Sequence, residues 1–186
     1  GFVSRGLGDV YKRQVSITVA NVNDAPTITS TAVTSATEDI AYSYTVTTND
    51  IDPSDSVTLT GTTVPSWLSF NSSTGALTGT PLNTHVGNHD VVITATDESS
   101  SSVTQSFTIT VANVNDAPTF TSTAVTSATE DSAYSYTVTT SDVDSGDTVT
   151  LAGTTVPSWL SFNASTGALT GTPLNTHVGN HDVVIT

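Results

Sequence analysis

Cysteine and methionine are absent from the 186 residues, lysine and arginine together number three, and no apolar run approaches the ~18 residues that a transmembrane helix needs. Each shortage excludes something. Without cysteine there is no disulfide, no thiolate-held zinc and no thiol catalysis. Three bases against 17 acids give a net charge of −14, and a chain with so little Lys and Arg cannot neutralise a phosphate backbone. A nucleic-acid partner is therefore excluded, and anionic membrane surfaces are disfavoured for the same reason. The strong helix formers are scarce, while 39 Thr, 25 Ser and 23 Val favour strands and turns. The composition predicts an all-β protein.

The three bases, Arg5, Lys12 and Arg13, all fall in one string, residues 4–14, SRGLGDVYKRQ. That string is similar to the translated transposase adapter used in DNA library preparation. No apolar segment of the kind a secretory signal requires follows it. Residues 1–14 are therefore set apart from the fold as an artefact. From Val15 onward there are 16 acids and no base, −16 over 172 residues.

Aligned at an offset of 92, residues 21–94 and 113–186 differ at nine of 74 positions, among them Ile40/Ser132, Pro53/Ser145 and Ser72/Ala164. A period of that length is too long for a solenoid unit, so each repeat is expected to be a domain with its own core. Val15–Ala20 (VSITVA) matches Phe107–Ala112 (FTITVA). The expected organisation is the last strand of a preceding repeat over 15–22, a complete domain over 23–112, and a second domain over 113–186 truncated before its last strand. A module of ~90 residues buries only about 60–65% of its unfolded surface, which favours an external source of stability.

Alternation predicts the strands. Ala41–Thr48 places Tyr42, Tyr44 and Val46 on one face, and Ser56–Thr60 does the same for Val57 and Leu59. Asp90–Thr96 and Val103–Ala112 read as a hairpin around the polar turn Asp97–Ser102, with Phe107, Ile109 and Val111 in phase. Trp67, Leu68 and Phe70 supply the bulkiest core contribution, and SSTG and GTP mark turns.

The acids cluster. Each repeat has an N-x-N-D-A-P linker (Asn21, Asn23, Asp24; Asn113, Asn115, Asp116), a Glu-Asp pair (Glu38, Asp39; Glu130, Asp131) and an acidic loop (Asp50, Asp52, Asp55; Asp142, Asp144, Asp147). Asp97 and Glu98 add a fourth group in the hairpin turn. Carboxylates and amide carbonyls alternating in loops, with no base to neutralise them, suit a hard cation that takes six to eight oxygen ligands, Ca²⁺. Asp and Asn acting only as turn residues on a soluble surface is the competing reading, and composition leaves it open.

Other motifs carry less. His85 and His89, repeated as His177 and His181, have metal-ligand spacing for a helix, but at a strand entry the two positions would stand about 13 Å apart. Asn71-Ser-Ser and Asn163-Ala-Ser fit a glycosylation acceptor pattern that also occurs by chance. Trp67 and Trp159 could stack on sugar, although their phase with Leu and Phe favours the core. Serine is abundant, yet no G-x-S-x-G elbow accompanies a histidine, so no catalytic constellation is expected.

The run P-S-W-L-S-F-N-x-S-T-G-A-L-T-G-T-P (65–81 and 157–173) followed by V-G-N-H-D-V-V-I-T resembles the dystroglycan-type cadherin-like domain, an Ig-like repeat of bacterial surface proteins and secreted enzymes. The resemblance covers essentially all of 22–112 and 114–186. It implies tandem Greek-key β-sandwiches of the Ig/cadherin kind with calcium at the joints between domains. It would place Asn113, Asn115 and Asp116 at the joint between the two repeats. Glu38 and Asp39 would approach from the first repeat, and Asp142 and Asp144 from the second. Asn23, Asp24, Asp50, Asp52 and Asp97 would serve an upstream joint. The linker departs from the cadherin pattern in lacking the second Asn of N-D-N, and G-T-P-L stands where cadherins carry D-R-E. Fewer ligands imply binding at or beyond the weak end, about 10⁻⁴–10⁻³ M, of extracellular modules.

The expected function is a calcium-binding structural or adhesion repeat of a large secreted or surface-attached microbial protein, extracellular and not enzymatic. Its partners would be neighbouring repeats and surface proteins or glycans. The alternative is a spacer or carbohydrate-binding accessory domain of a secreted polysaccharide-active enzyme. A second repeat without residues matching 103–112 should also expose the flank of its 182–186 strand, open to strand capture. Val15–Ala20 could fill that gap only by crossing a whole domain or from another molecule.

Overall fold

A computed structural model describes residues 13–52 and 55–186; most of the adapter-like string lies outside the described residues. Among them there is no α-helix, and none is long and apolar enough to cross a membrane. The fold is all-β, as the composition predicts.

The first repeat contains β1 (Thr27–Ile28), β2 (Ser35–Thr37), β3 (Tyr42–Thr45), β4 (Thr48–Asn49), β5 (Thr58–Thr63), β6 (Leu68–Asn71), β7 (Ala76–Gly79), β8 (Gly87–Thr96) and β9 (Ser102–Ala112). One sheet runs β2-β9-β8-β5, with β2 parallel to β9 and the other neighbours antiparallel. The facing sheet runs β3-β7-β6, and β1 and β4 form a short ribbon. Period-two burial puts Tyr42 and Tyr44 of β3 against Val91 and Ile93 of β8 and Ile109 and Val111 of β9, with Trp67, Leu68 and Leu77 completing the core. Tyr44 meets Phe107 edge-on with ring centroids 5.7 Å apart, and Tyr42 meets Trp67 at 5.8 Å. Trp67 is thus a core residue. Burial beside Tyr44 pushes the Tyr42 phenol up to about 12.

Two strands differ from the alternation reading, each for a reason of partnership. The stretch 41–48 divides into β3 and β4 because β3 pairs with β7 while β4 pairs with β1. β5 begins at Thr58, where Thr96 is its partner, because Asp97 already turns the chain back through its N–H to Ser101 O at 3.0 Å. Two glycines are required by close approach. Gly75 sits at φ +71 under the carbonyl of Val46, and a methyl at Gly79 would collide with the carbonyl of Trp67.

The second repeat contains β10 (Thr119–Phe120), β11 (Tyr134–Thr137), β12 (Thr140–Ser141), β13 (Gly153–Thr155), β14 (Leu160–Asn163), β15 (Ala168–Gly171) and β16 (Val184–Ile185). Its β11-β15-β14 sheet repeats the register of β3-β7-β6. The opposite sheet is reduced to β13-β16. Val91 is fully buried, whereas its counterpart Val183 is 37% exposed. Val15–Ala20 forms no strand, and Val15, Ile17 and Val19 are 68, 83 and 88% exposed.

Candidate metal centre at the joint between the repeats

Glu38 follows β2 directly, and the parallel pairing of β2 with β9 brings it to the end of β9, where its N–H reaches the carbonyl of Ala112 at 3.0 Å. Its side chain is only 1% exposed. Oε1 accepts the backbone N–H of Val114 at 2.6 Å, while Oε2 is buried with no hydrogen-bond partner. From the second repeat, Asp144 is also buried. Its Oδ2 accepts the N–H of Asp116 at 2.6 Å, its Oδ1 accepts Asn83 Nδ2 at 3.0 Å, and its own N–H donates to Asp142 Oδ1 at 3.0 Å.

The result is two groups of carboxylates that share Asp144. Glu38, Asp116 and Asp144 form one, and Asp142, Asp144 and Asp147 the other; within each group the oxygens lie within 4.8 Å of one another. No Lys or Arg faces them, since the sequence has none beyond Arg13. Like charges at about 4 Å repel by about 1 kcal/mol in water and about 4 kcal/mol at the effective dielectric near a protein surface. A buried carboxylate with one oxygen lacking a donor, grouped with two further carboxylates, fits a hard cation.

The remaining expected ligands sit around these groups. Asn113 and Asn115 are exposed in the linker, and Asn115 Nδ2 donates to the carbonyl of Asp116 at 2.9 Å. Asp39 is exposed beside the site at φ 58, its N–H bonded to Pro81 O at 2.8 Å, so its part here is to turn the backbone. At the upstream end of the first repeat the same arrangement recurs. Asp52 accepts the N–H of Asp24 at 2.6 Å and Asn21 Nδ2 at 2.8 Å, and donates its own N–H to Asp50 Oδ1 at 3.0 Å. Asp97 accepts Asn23 Nδ2 at 2.9 Å and the N–H of Ser101 at 2.8 Å. Those bonds, the Asn23 amide foremost, hold the Asp97 carboxyl below the usual range. Asp50, Asp55 and Asp97 form a third group, in which Asp50 Oδ2 is buried without a partner. Asp55 is pushed up, first by desolvation and then by its neighbours Asp50, Asp52, Glu98 and Asp97.

Three participants are not among the residues that the cadherin pattern supplies. Asp55 and Asp147 belong to the acidic loops, whose D-x-D core draws attention away from the third acid. Asn83 stands two residues after the G-T-P turn, where the cadherin motif is missing, and only the fold shows that it reaches Asp144. The histidines lie where the 3-10 turn Asn83–His85 gives way to β8, and the ring centroids of His85 and His89 are 6.4 Å apart. Their bonds are structural: His85 Nδ1 accepts from Leu82 N–H at 2.9 Å, His89 Nε2 bonds the His85 carbonyl at 2.6 Å, and both rings pack on Trp67. Asn71 caps its own turn, its Oδ1 accepting the N–H groups of Ser73 and Thr74.

The family described as Putative Ig domain matches residues 25–112 and 117–186. The chain belongs to that family. These Ig-like repeats are also 35% identical, over 129 residues and 69% of the chain, to a protein described as a serine-rich adhesin for platelets from Staphylococcus aureus. They span 5% of that adhesin's length, and 9% of the form from strain MRSA252. Among solved structures, human Protocadherin-24 EC1-2 aligns with TM-score 0.55 at 18% identity, covering 88% of this chain and 86% of that one. PcdhgB3 EC1-4 aligns with TM-score 0.58 at 17% identity over 90% and 46% of the two chains. At such identities the Ig-like repeats share a fold with cadherin domains and nothing further is implied.

Proposed function

We propose that the chain is a calcium-stiffened adhesion repeat of a large extracellular, surface-attached microbial protein. The observation that carries this reading is Glu38, a buried carboxylate with one unpartnered oxygen that is grouped with Asp116 and Asp144 across the joint. The similarity to a staphylococcal adhesin supports the surface setting. In this reading 15–22 is the last strand of a preceding repeat, 23–112 a complete repeat and 113–186 the next. Neighbouring repeats are its first partners, and surface proteins or glycans are the targets of the whole array.

Glu38, Asp116 and Asp144 would hold one Ca²⁺ and Asp142, Asp144 and Asp147 a second, with linker carbonyls and the Asn113 and Asn115 amides available to complete the oxygen shell. The chain's own work is positional. β2 and β9 fix Glu38, the N–H of Asp116 and the Asn83 amide fix Asp144, and the linker is drawn between them. Without a cation these carboxylates push the repeats apart; with one, the same charges attract and the joint stiffens. The role is mechanical and adhesive rather than catalytic.

Calcium titrated into the full chain should raise its melting temperature and lengthen the particle measured by small-angle X-ray scattering. Asp144→Ala should weaken both responses, because that residue serves both positions. A chain that neither stabilises nor elongates with calcium would falsify the proposal.

A further inference from the structure

The carboxylates of the joint, Glu38, Asp116, Asp142, Asp144 and Asp147, accept backbone N–H groups from Val114, Asp116 and Asp144. Among the described residues a single side chain donates to them. It is Asn83, whose Nδ2 stands 3.0 Å from Asp144 Oδ1 and 3.5 Å from Asn113 Oδ1. Asn83 belongs to the first repeat and Asp144 to the second, so this bond crosses the joint. Asn83 is half-buried, and its backbone is fixed by the turn Asn83–His85. That turn is closed twice: the His85 N–H donates to the Leu82 carbonyl at 2.7 Å, and His85 Nδ1 accepts the Leu82 N–H at 2.9 Å. The same two bonds recur between Leu174 and His177, at 2.8 and 3.0 Å, so the turn is a property of the repeat itself.

We propose, resting on the calcium reading of the same site, that Asn83 is its switching ligand: without metal Nδ2 donates to Asp144, and with calcium the amide turns over and offers Oδ1 to the ion. One end of a carboxamide donates and the other accepts, and the two ends are close to the same size. A half-turn about the last side-chain bond therefore exchanges them with little movement of the neighbours. In the metal-free state the carboxylates gain from a donor, and no Lys or Arg supplies one. Once a cation sits among them, an N–H beside it is repelled, whereas an amide oxygen is one of the hard ligands that Ca²⁺ takes. A cation, rather than acids gathered on a surface, is indicated by Glu38, which is 1% exposed and keeps Oε2 without a partner.

The neutral amide also sets how the joint behaves at low calcium. Asn83 adds no repulsion when metal is absent, and it attracts the ion less than a carboxylate would when metal is present. Its bond to Asp144 holds the repeats together across the joint before an ion arrives, so the site is partly assembled in advance.

The test is calcium chloride titrated into the full chain and followed by NMR of the side-chain amides, with the Asn83 signals assigned by their loss in Asn83→Ala. Calcium should move the Asn83 Cγ resonance downfield as Oδ1 coordinates, and Asn83→Ala should bind calcium about tenfold more weakly. Asn83→Asp keeps an oxygen and loses the donor. It should bind calcium at least as tightly as the parent and melt lower in chelator, because a fourth carboxylate then stands beside Asp144 with nothing to offset it. An Asn83 Cγ resonance that ignores calcium, or an Asn83→Ala chain that binds calcium as well as the parent, overturns the proposal. Either result leaves the calcium reading intact when the parent still stiffens with the ion. A parent that does not respond to calcium at all overturns both.

Discussion

Glu38 Oε1 accepts the backbone N–H of Val114 at 2.6 Å, so one oxygen of a buried carboxylate ties the linker down while the other has no hydrogen-bond partner, and the carboxylate lies in one group with Asp116 and Asp144. The two oxygens do different work, and a substitution can separate them. Glu38→Gln keeps an acceptor for Val114 and removes the charge. Apparent calcium affinity should fall about tenfold or more, about 1.4 kcal/mol, while the metal-free protein stays at least as stable as the parent because one repulsive charge is gone. Calorimetric melting with calcium and with chelator reads both. An undiminished calcium response would remove Glu38 from the site.

Asp55 and Asp97 give the metal-free protein opposed acid responses. Asp55 is raised above 3.8 in the folded chain by desolvation and by its acidic neighbours. The folded state therefore takes up that proton before the unfolded state does, and stability rises as pH falls through the raised value toward 3.8. Asp97 is lowered, chiefly by the Asn23 amide, so its contribution is complete above 3.8 and is lost as pH falls below it through the depressed value. Melting temperature against pH in chelator should rise on mild acidification and fall below about pH 4. Asp55→Asn should flatten the rise and also reduce stabilisation by calcium. A parent curve that falls steadily from neutral pH would count against the crowded-acid description.

Gly79 lies so close to Trp67 that a methyl would meet its carbonyl oxygen. The obstruction is backbone on both sides and cannot swing away. Gly79→Ala should destabilise the first repeat by about 2–4 kcal/mol in denaturant unfolding. A loss within about 0.5 kcal/mol would show that β6 and β7 can separate more easily than their pairing implies.

Much of this was legible from residue order. Strict alternation in 42–46 and 103–111 identifies the inward faces because a strand's side chains point to opposite sides in turn, and Tyr42, Tyr44, Ile109 and Val111 are buried as that period requires. The clustering of acids without bases is likewise plain in residue order, where it suits a cation and turn residues on a soluble surface equally. Asn83 and Asp147 were harder to read because their relevance depends on distance through space. Asn83 meets Asp144 over 61 residues of sequence, and no local pattern encodes that approach.

The repeats separate the two kinds of information. Residue order alone determined an all-β chain, the 92-residue period, the core faces and the acidic segments, because each depends on local stereochemistry or on counting. Tertiary structure alone decided what those residues become. Glu38 and Val114 stand 76 residues apart, yet the carboxylate of one is buried and accepts the backbone N–H of the other at 2.6 Å. Burial is set by what packs against a side chain, and in a β-sandwich that neighbour is a strand distant in sequence.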